Sequence, residues 1–246
     1  MSTIQPQQEK AMVVHSQAFK DTVKKGLDYF KVPSTPAMIE QLTFHASEML
    51  FWNKKTNLTA ITDPYDVAVK HIIDSAAAFP LISQGASVLD LGSGGGFPGI
   101  PLKILNPSLD MILVDSSRKK VSFMKHVIRT KSLTGIRAFH ARGEELKDDK
   151  SFCGCFDYVI SRAFSGLDVF VPMALPFLKE NGRIIAMKGK EIDHEKSLLT
   201  TITGTAWDGR QVLCQDLSME QILYRLPFIE SQRALFVIGL KNKCIP

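Results

Sequence analysis

With 246 residues, 45% hydrophobic content and a formal net charge of +5, the chain is long enough to bury one sizeable core and too apolar for a disordered protein; so mild a charge selects no partner by itself. Residues 1–15 hold no apolar stretch leading to a cleavage site, and no apolar run approaches the roughly 20 residues that span a bilayer, so a cytoplasmic protein without membrane attachment is expected. Cys153, Cys155, Cys214 and Cys244 match neither zinc-ribbon nor redox-pair spacing, which leaves ordinary reduced thiols and no metal site.

In chain order, Val14, Phe19, Val23, Leu27 and Phe30 recur at three- and four-residue steps, as do Met38, Leu42, His45, Met49 and Leu50, with Pro33 and Pro36 between the two runs. Asp63 and Pro64 read as the cap and first residue of a third helix that carries Val67, Val69, Ile72 and Ile73. Residues 1–80 are therefore expected to form a helical extension to one large domain over residues 81–246. Beyond Gly85 the pattern changes. Apolar runs at 87–91, 110–115, 136–141, 157–161 and 183–187 read as strands, with helices near 99–106, 117–130, 166–179 and 191–202. This alternation predicts an α/β fold, a mainly parallel, doubly wound sheet. Two runs in the tail, Gln211–Leu217 and Ala234–Lys241, predict an antiparallel pair that completes the sheet.

The strongest local signal is Asp90-Leu-Gly92-Ser-Gly94-Gly-Gly96-Phe-Pro98-Gly99, between the first strand and the next helix. Glycines at such a turn accept positive φ and let a ligand approach the backbone. Gly94-x-Gly96-x-x-Gly99 also fits the dinucleotide fingerprint, but Gly92 is the residue that closes the strand, which puts Phe97 where the third glycine should be. An acidic residue two before Gly92 fits instead the acidic-x-Gly-x-Gly-x-Gly loop of class I methyltransferases, which holds the methionine end of S-adenosylmethionine. Asp115, at the end of the second strand, is placed to accept the ribose hydroxyls of an adenosine-bearing cofactor, or to cap the following helix, or both.

From Ser116 to Gly143 there is no acid, while Arg118, Lys119, Lys120, Lys125, Arg129, Lys131, Arg137 and Arg142 fall inside that stretch. Either these form the solvated face of a helix that buries Phe123, Met124, Val127 and Ile128, or they contact RNA; the absence of compensating acids favours RNA.

Several separated segments together resemble the RsmG (GidB) family of bacterial guanine-N7 methyltransferases acting on small-subunit ribosomal RNA. They are Trp52-Asn53-x-x-x-Asn57-Leu-Thr59, His71-x-x-Asp74-Ser75, the 90–101 loop, Asp115-Ser-x-x-Lys-Lys120, Arg142-Gly-Glu144-Glu145, Ser161-Arg162-Ala163 and Lys188-Gly189. The resemblance implies a class I, Rossmann-like methyltransferase domain over residues 81–246 and S-adenosylmethionine as cofactor. It places cofactor contacts at Gly92 and Phe97 in the loop, at Gly143 and Glu144, and at Arg162, beside Gly94 and Asp115 from the residue-level reading. Gly143 stands where many relatives carry alanine or valine. On the substrate side the expected residues are Asn53, Asn57, His71, Arg118, Lys119, Lys120 and Lys188; Asn53 and Asn57 read equally well as turn formers, and His71 as a structural partner of Asp74 three residues on.

The implied partner is small-subunit ribosomal RNA, free or within the 30S particle, with no DNA, and the protein is expected to be a monomer. The absence of a Pro-Pro-aromatic segment after the fourth strand argues against exocyclic-amine methylation, and the lack of a Pro-Cys or Thr-Cys pair argues against carbon-5 chemistry. A ring nitrogen such as guanine N7 is already nucleophilic, so no catalytic acid or base is assigned. Three alternatives stay open: methylation of another RNA or a small molecule, RNA binding without turnover, and nicotinamide-dependent hydride transfer.

Overall fold

A computed structural model describes residues 13–189, 200 and 202–241. The chain starts with α1 (Gln17–Tyr29), capped by Ser16, whose hydroxyl accepts the Phe19 N–H, and α2 (Pro36–Thr56), capped by Thr35 with proline in its first turn. Asn57 closes α2 in the left-handed region, at φ 50°. The third helix starts as expected, with Asp63 accepting from Asp66 N and Pro64 in its first turn. It does not continue as a plain helix. A short α3 (Pro64–Val67) passes into a π-helical turn (Ala68–Ile73) and then α4 (Asp74–Ala76).

The sheet follows as β1 (Ser87–Leu91), α5 (Gly99–Leu105), β2 (Asp110–Asp115), α6 (Arg118–Thr130), β3 (Ile136–His140), α7 (Gly143–Leu146), β4 (Phe156–Arg162), α8 (Leu167–Ala174) and β5 (Leu178–Lys188). Short strands β6 (Thr203–Thr205) and β7 (Gln211–Leu213) come next, and then the hairpin β8 (Leu217–Arg225) and β9 (Gln232–Leu240). The order is β3-β2-β1-β4-β5-β9-β8, parallel from β3 to β5 and antiparallel at β5/β9 and β9/β8. Strand order reverses at β1, so the glycine loop lies at the topological switch point where open α/β sheets collect ligands.

The first four expected strands agree with β1 to β4 to within a residue at each end, and 183–187 is the inner part of the longer β5. Two expectations need correction, and a third cannot be placed. The helix expected over 166–179 ends at Ala174, gives a 3₁₀ turn and becomes β5 at Leu178. The helix expected over 191–202 lies, apart from residues 200 and 202, outside the described residues, as does Cys244. In the tail, Ala234–Lys241 does close the sheet, but Gln211–Leu217 is not its partner: Gln211–Leu213 pairs with β6 in a separate two-stranded sheet. The true partner, β8, is an edge strand with Glu220, Arg225 and other polar residues along an exposed surface, so it carries no apolar run.

Consecutive residues on the strands feed opposite faces. Val88 and Ile185 join the cluster made with Phe19, Leu42, Met49 and Phe123, whereas Leu89 and Ile184 join Phe170, Phe177 and Phe236. The N-terminal helices therefore cover one face of the sheet and share a single core with α5 and α6.

Candidate cofactor and acceptor cavities

The glycine loop is shaped mainly by backbone. Gly92 and Ser93 donate their N–H groups to Val114 O (2.8 and 3.1 Å), which ties the loop to the end of β2. A side chain at Gly99 would meet Leu113 and Asp90 at 2.3 and 2.7 Å, and Gly96, at φ 82°, abuts Ile100 as closely. Asp90 accepts the Gly99 N–H through Oδ2 (2.9 Å), while its buried Oδ1 has no hydrogen-bond partner among the described residues. Burial pushes the Asp90 carboxyl up to about 7. Asp115 accepts from Gly94 N (2.9 Å) and Ser117 N (2.8 Å), fastening the loop to the start of α6.

Beside this loop lies a cavity of about 330 Å³ whose lining includes Gly92, Asp115, Gly143, Glu144, Phe164 and Met173. Four of the expected cofactor residues thus meet at one place, and Gly94 adjoins them through Asp115. The residue set fits an adenosine-bearing cofactor: a carboxylate for hydroxyls, glycine backbone for close approach, Phe164 and Met173 as apolar walls, and an orphaned carboxylate oxygen beneath the loop. The missing side chain at Gly143 is filled from elsewhere, since a Cβ there would lie 2.5 Å from Met173 Sδ.

Phe97 and Arg162, expected at the same cofactor, are differently placed. The Phe97 ring is buried between His45 and His71, with centroids at 4.5 and 4.7 Å, and is not among the residues that line this cavity. Arg162 lines a second cavity of about 240 Å³ with His71, Asp74, Lys188, Tyr224 and Arg233. Arg162 donates to Lys70 O and His71 Nδ1 (both 2.8 Å), lies 3.6 Å from Asp74 Oδ2, and stacks its guanidinium 5.1 Å over Phe97. Because His71 Nδ1 accepts, its Nε2 carries the proton and donates to Thr59 Oγ1 (2.8 Å). Burial, reinforced by the Arg162 charge, lowers His71 to about 2, and burial lowers His45, which donates from Nε2 to Gly95 O (2.7 Å), to about 4. Both rings are neutral near pH 7.

The alternative reading, in which the His71 and Asp74 side chains pair with each other, is not what the structure shows. The i→i+5 bonding of the π turn carries Asp74 off the face of His71, and Asp74 instead accepts from Tyr224 OH (2.7 Å) with Arg233 Nε at 4.0 Å. Burial, then the Asp74 charge, pushes the Tyr224 phenol up. Lys188, expected to meet substrate, is buried and donates to Ser165 O (2.6 Å) and Phe164 O (3.3 Å), bracing the turn after β4. Asn53 exchanges two hydrogen bonds with the Thr59 backbone (both 2.9 Å) and Asn57 caps α2, so both act as turn formers that hold Thr59 for His71. On α6, Arg118 and Lys119 are exposed and Lys120 is half-buried. Sequence reasoning missed Tyr224 and Arg233, which sit on the polar edge hairpin, and His45, whose one signal was an apolar position in the α2 pattern.

This strand order with a terminal antiparallel hairpin, and a glycine loop at its switch point joined to an acidic residue ending β2, defines the fold of class I S-adenosylmethionine-dependent methyltransferases. Solved structures agree. The chain is similar to an S-adenosylmethionine-dependent methyltransferase of Aquifex aeolicus (TM-score 0.53, 13% identity, 75% of this chain and 97% of that one) and to the M1A22 tRNA methyltransferase TrmK of B. subtilis (TM-score 0.51, 14% identity, 68% and 65%). The family model for rRNA small subunit methyltransferase G matches residues 38–205. Relatives named ribosomal RNA small subunit methyltransferase G include those of Geobacter sp. strain M21, 41% identical over 91% of this chain and 98% of the relative, and Geobacter metallireducens, 40% identical over 92% and 99%. The chain belongs to this family.

Proposed function

We propose that the protein transfers a methyl group from S-adenosylmethionine to the N7 of a guanine in small-subunit (16S) ribosomal RNA, free or within the 30S particle, and does so as a cytoplasmic monomer that does not use DNA. The supporting observation is the adjacency of the two cavities. Arg162 and Ala163 line one and Phe164 the other, so a single turn, reversed at Ala163 (φ 56°), divides donor from acceptor. Among the described residues no helix is long and apolar enough to cross a membrane.

S-adenosylmethionine supplies an electrophilic methyl group when bound. Asp115 and the Gly92–Gly94 backbone would hold its nucleoside and methionine ends, Gly143 and Glu144 would line the adenine side, and Phe164 and Met173 would exclude water. The groups around the second cavity are committed to one another. His71 is a neutral donor to Thr59, Tyr224 is a protonated donor to Asp74, and Asp74 balances Arg162. None of these is free to remove a proton, and attack by a ring nitrogen needs none: the N7 lone pair forms the new bond as the carbon–sulfur bond breaks, and positive charge passes to the base. The chain contributes alignment and a dry site.

Labelled methyl transfer to small-subunit ribosomal RNA, followed by mapping of the modified position, tests this reading. An N7-methylguanine is cleaved by mild reduction and aniline. Methylated RNA that resists that treatment rejects the N7 assignment.

A further inference from the structure

Helices α2 and α6 lie side by side and antiparallel. The Trp52 ring meets Phe123 and His126, with centroids at 5.7 and 5.2 Å, Glu48 Oε2 lies 2.7 Å from His126 Nε2, and Lys131 sits 4.0 Å over the Phe44 ring. This pairing sets the end of α2 beside the first turn of α6. That turn in turn follows directly on Asp115 and Ser116, which line the cofactor cavity. Two features of the seam are unused by the site described above. Phe51 is 66% exposed on α2, one turn before exposed Lys55. Lys119, also exposed, precedes Phe123 by one turn on the α2-facing side of α6. Glu48, the acid between the helices, is already engaged by His126.

A single exposed phenylalanine is ordinary on a protein surface. Here it lies one turn before Lys55 on α2, the helix whose end packs against the α6 turn that carries Lys119, and an aromatic ring sharing a surface with cations is the combination that takes single-stranded nucleic acid, bases stacking on the ring and phosphates meeting the charges.

We propose that the α2/α6 seam docks a single-stranded segment of the RNA substrate, with Phe51 as a stacking platform for one base and Lys55 and Lys119 as phosphate contacts. The inference rests on RNA being the substrate. It extends the basic face of α6 onto α2 and gives the surface a polarity, since the segment bound there runs toward the cofactor cavity.

Binding of a small-subunit ribosomal RNA fragment to the full chain with S-adenosylhomocysteine present tests it, because the measurement does not need turnover. Phe51→Ser should weaken RNA binding about tenfold with its salt dependence intact, because a stack carries no counterions, and Phe51→Trp should restore affinity. Lys55→Gln with Lys119→Gln should make the slope of log K against log salt shallower by about 1.4, two single-strand phosphate contacts. S-adenosylhomocysteine affinity within twofold of wild type in each variant verifies folding. Wild-type RNA affinity in Phe51→Ser overturns the proposal. So does a Phe51→Ser effect confined to self-association or to protein-containing particles, which makes the patch a protein contact. Failure of the wild-type protein to bind RNA at all rejects the substrate reading and the docking surface with it.

Discussion

The two cavities at the carboxyl edge of the sheet are built by different means. The first is made from the turns that follow β1, β2 and β3, and its shape comes from glycine conformations and from backbone N–H groups held by Asp90 and Asp115. The second is made from side chains far apart in sequence: His71, Asp74, Arg162, Tyr224 and Arg233 line it and each satisfies or neutralises another, with Thr59 bonded to His71 behind them. The difference teaches where each is fragile. Deleting a wall side chain of the first, such as Met173, leaves the backbone shape largely in place, whereas deleting one member of the second strands a buried partner.

The largest expected effect breaks the second cavity. Arg162→Ala leaves Asp74 without its nearest cation and His71 Nδ1 without a donor, and should lower unfolding free energy by about 3–5 kcal/mol in denaturant titrations. A loss below about 1 kcal/mol would mean that the network is not coupled. Next, Asp115→Ala releases the loop from α6 and removes the proposed ribose acceptor. It should weaken S-adenosylmethionine binding by about 2–4 kcal/mol in calorimetry while leaving stability closer to wild type than Arg162→Ala does.

Asp90 sharpens the comparison through pH. Its folded value, about 7, lies above the ordinary 3.8, so the protonated carboxyl contributes stability that is complete below about 4 and lost as pH rises through about 7. Asp90→Asn removes that dependence. Relative to wild type, the variant should gain stability steadily from pH 4 to 7, by on the order of 4 kcal/mol, and hold the gain above that. His45 and His71 act with the opposite sign, since their depressed values favour the folded state above about 6.5 and cost stability as pH falls toward 4. A difference curve between Asp90→Asn and wild type that is flat from pH 4 to 8 would remove the buried, protonatable carboxyl from the account. Tyr224→Phe is the mildest. Losing one hydrogen bond to Asp74 should reduce stability by about 1 kcal/mol, raise the Michaelis constant for RNA and leave cofactor affinity unchanged. A cofactor effect equal to the RNA effect would show that the two cavities are not separable.

The first cavity is largely legible in the amino-acid sequence. Asp90, Gly92, Gly94 and Asp115 lie within 26 residues and act through local backbone geometry, which glycine spacing and strand-end carboxylates report directly. Gly143 and Glu144 need the family resemblance, because a single helical turn leaves no periodic trace. The second cavity is half legible. Sequence motifs single out Thr59, His71, Asp74, Arg162 and Lys188 but not how they are paired: Lys188 braces Phe164 and Ser165, and Asp74 finds Tyr224 on a strand 150 residues away.

What the sequence by itself determined is therefore whatever depends on neighbours along the chain: the caps at Ser16, Thr35 and Asp63, the buried strands β1 to β4 with their continuous apolar runs, the turn at Asn57 and the glycine loop. Only the tertiary structure decided the π turn at Ala68–Ile73, the pairing of β9 with the exposed strand β8, and the stacking of Phe97 between His45 and His71 beside the Arg162 network. The reason is physical. A polar edge strand and a widened helical turn gain their stability from contacts made after the chain has folded back on itself, and a buried charge such as Arg162 finds its place by satisfying partners that sequence spacing leaves far apart.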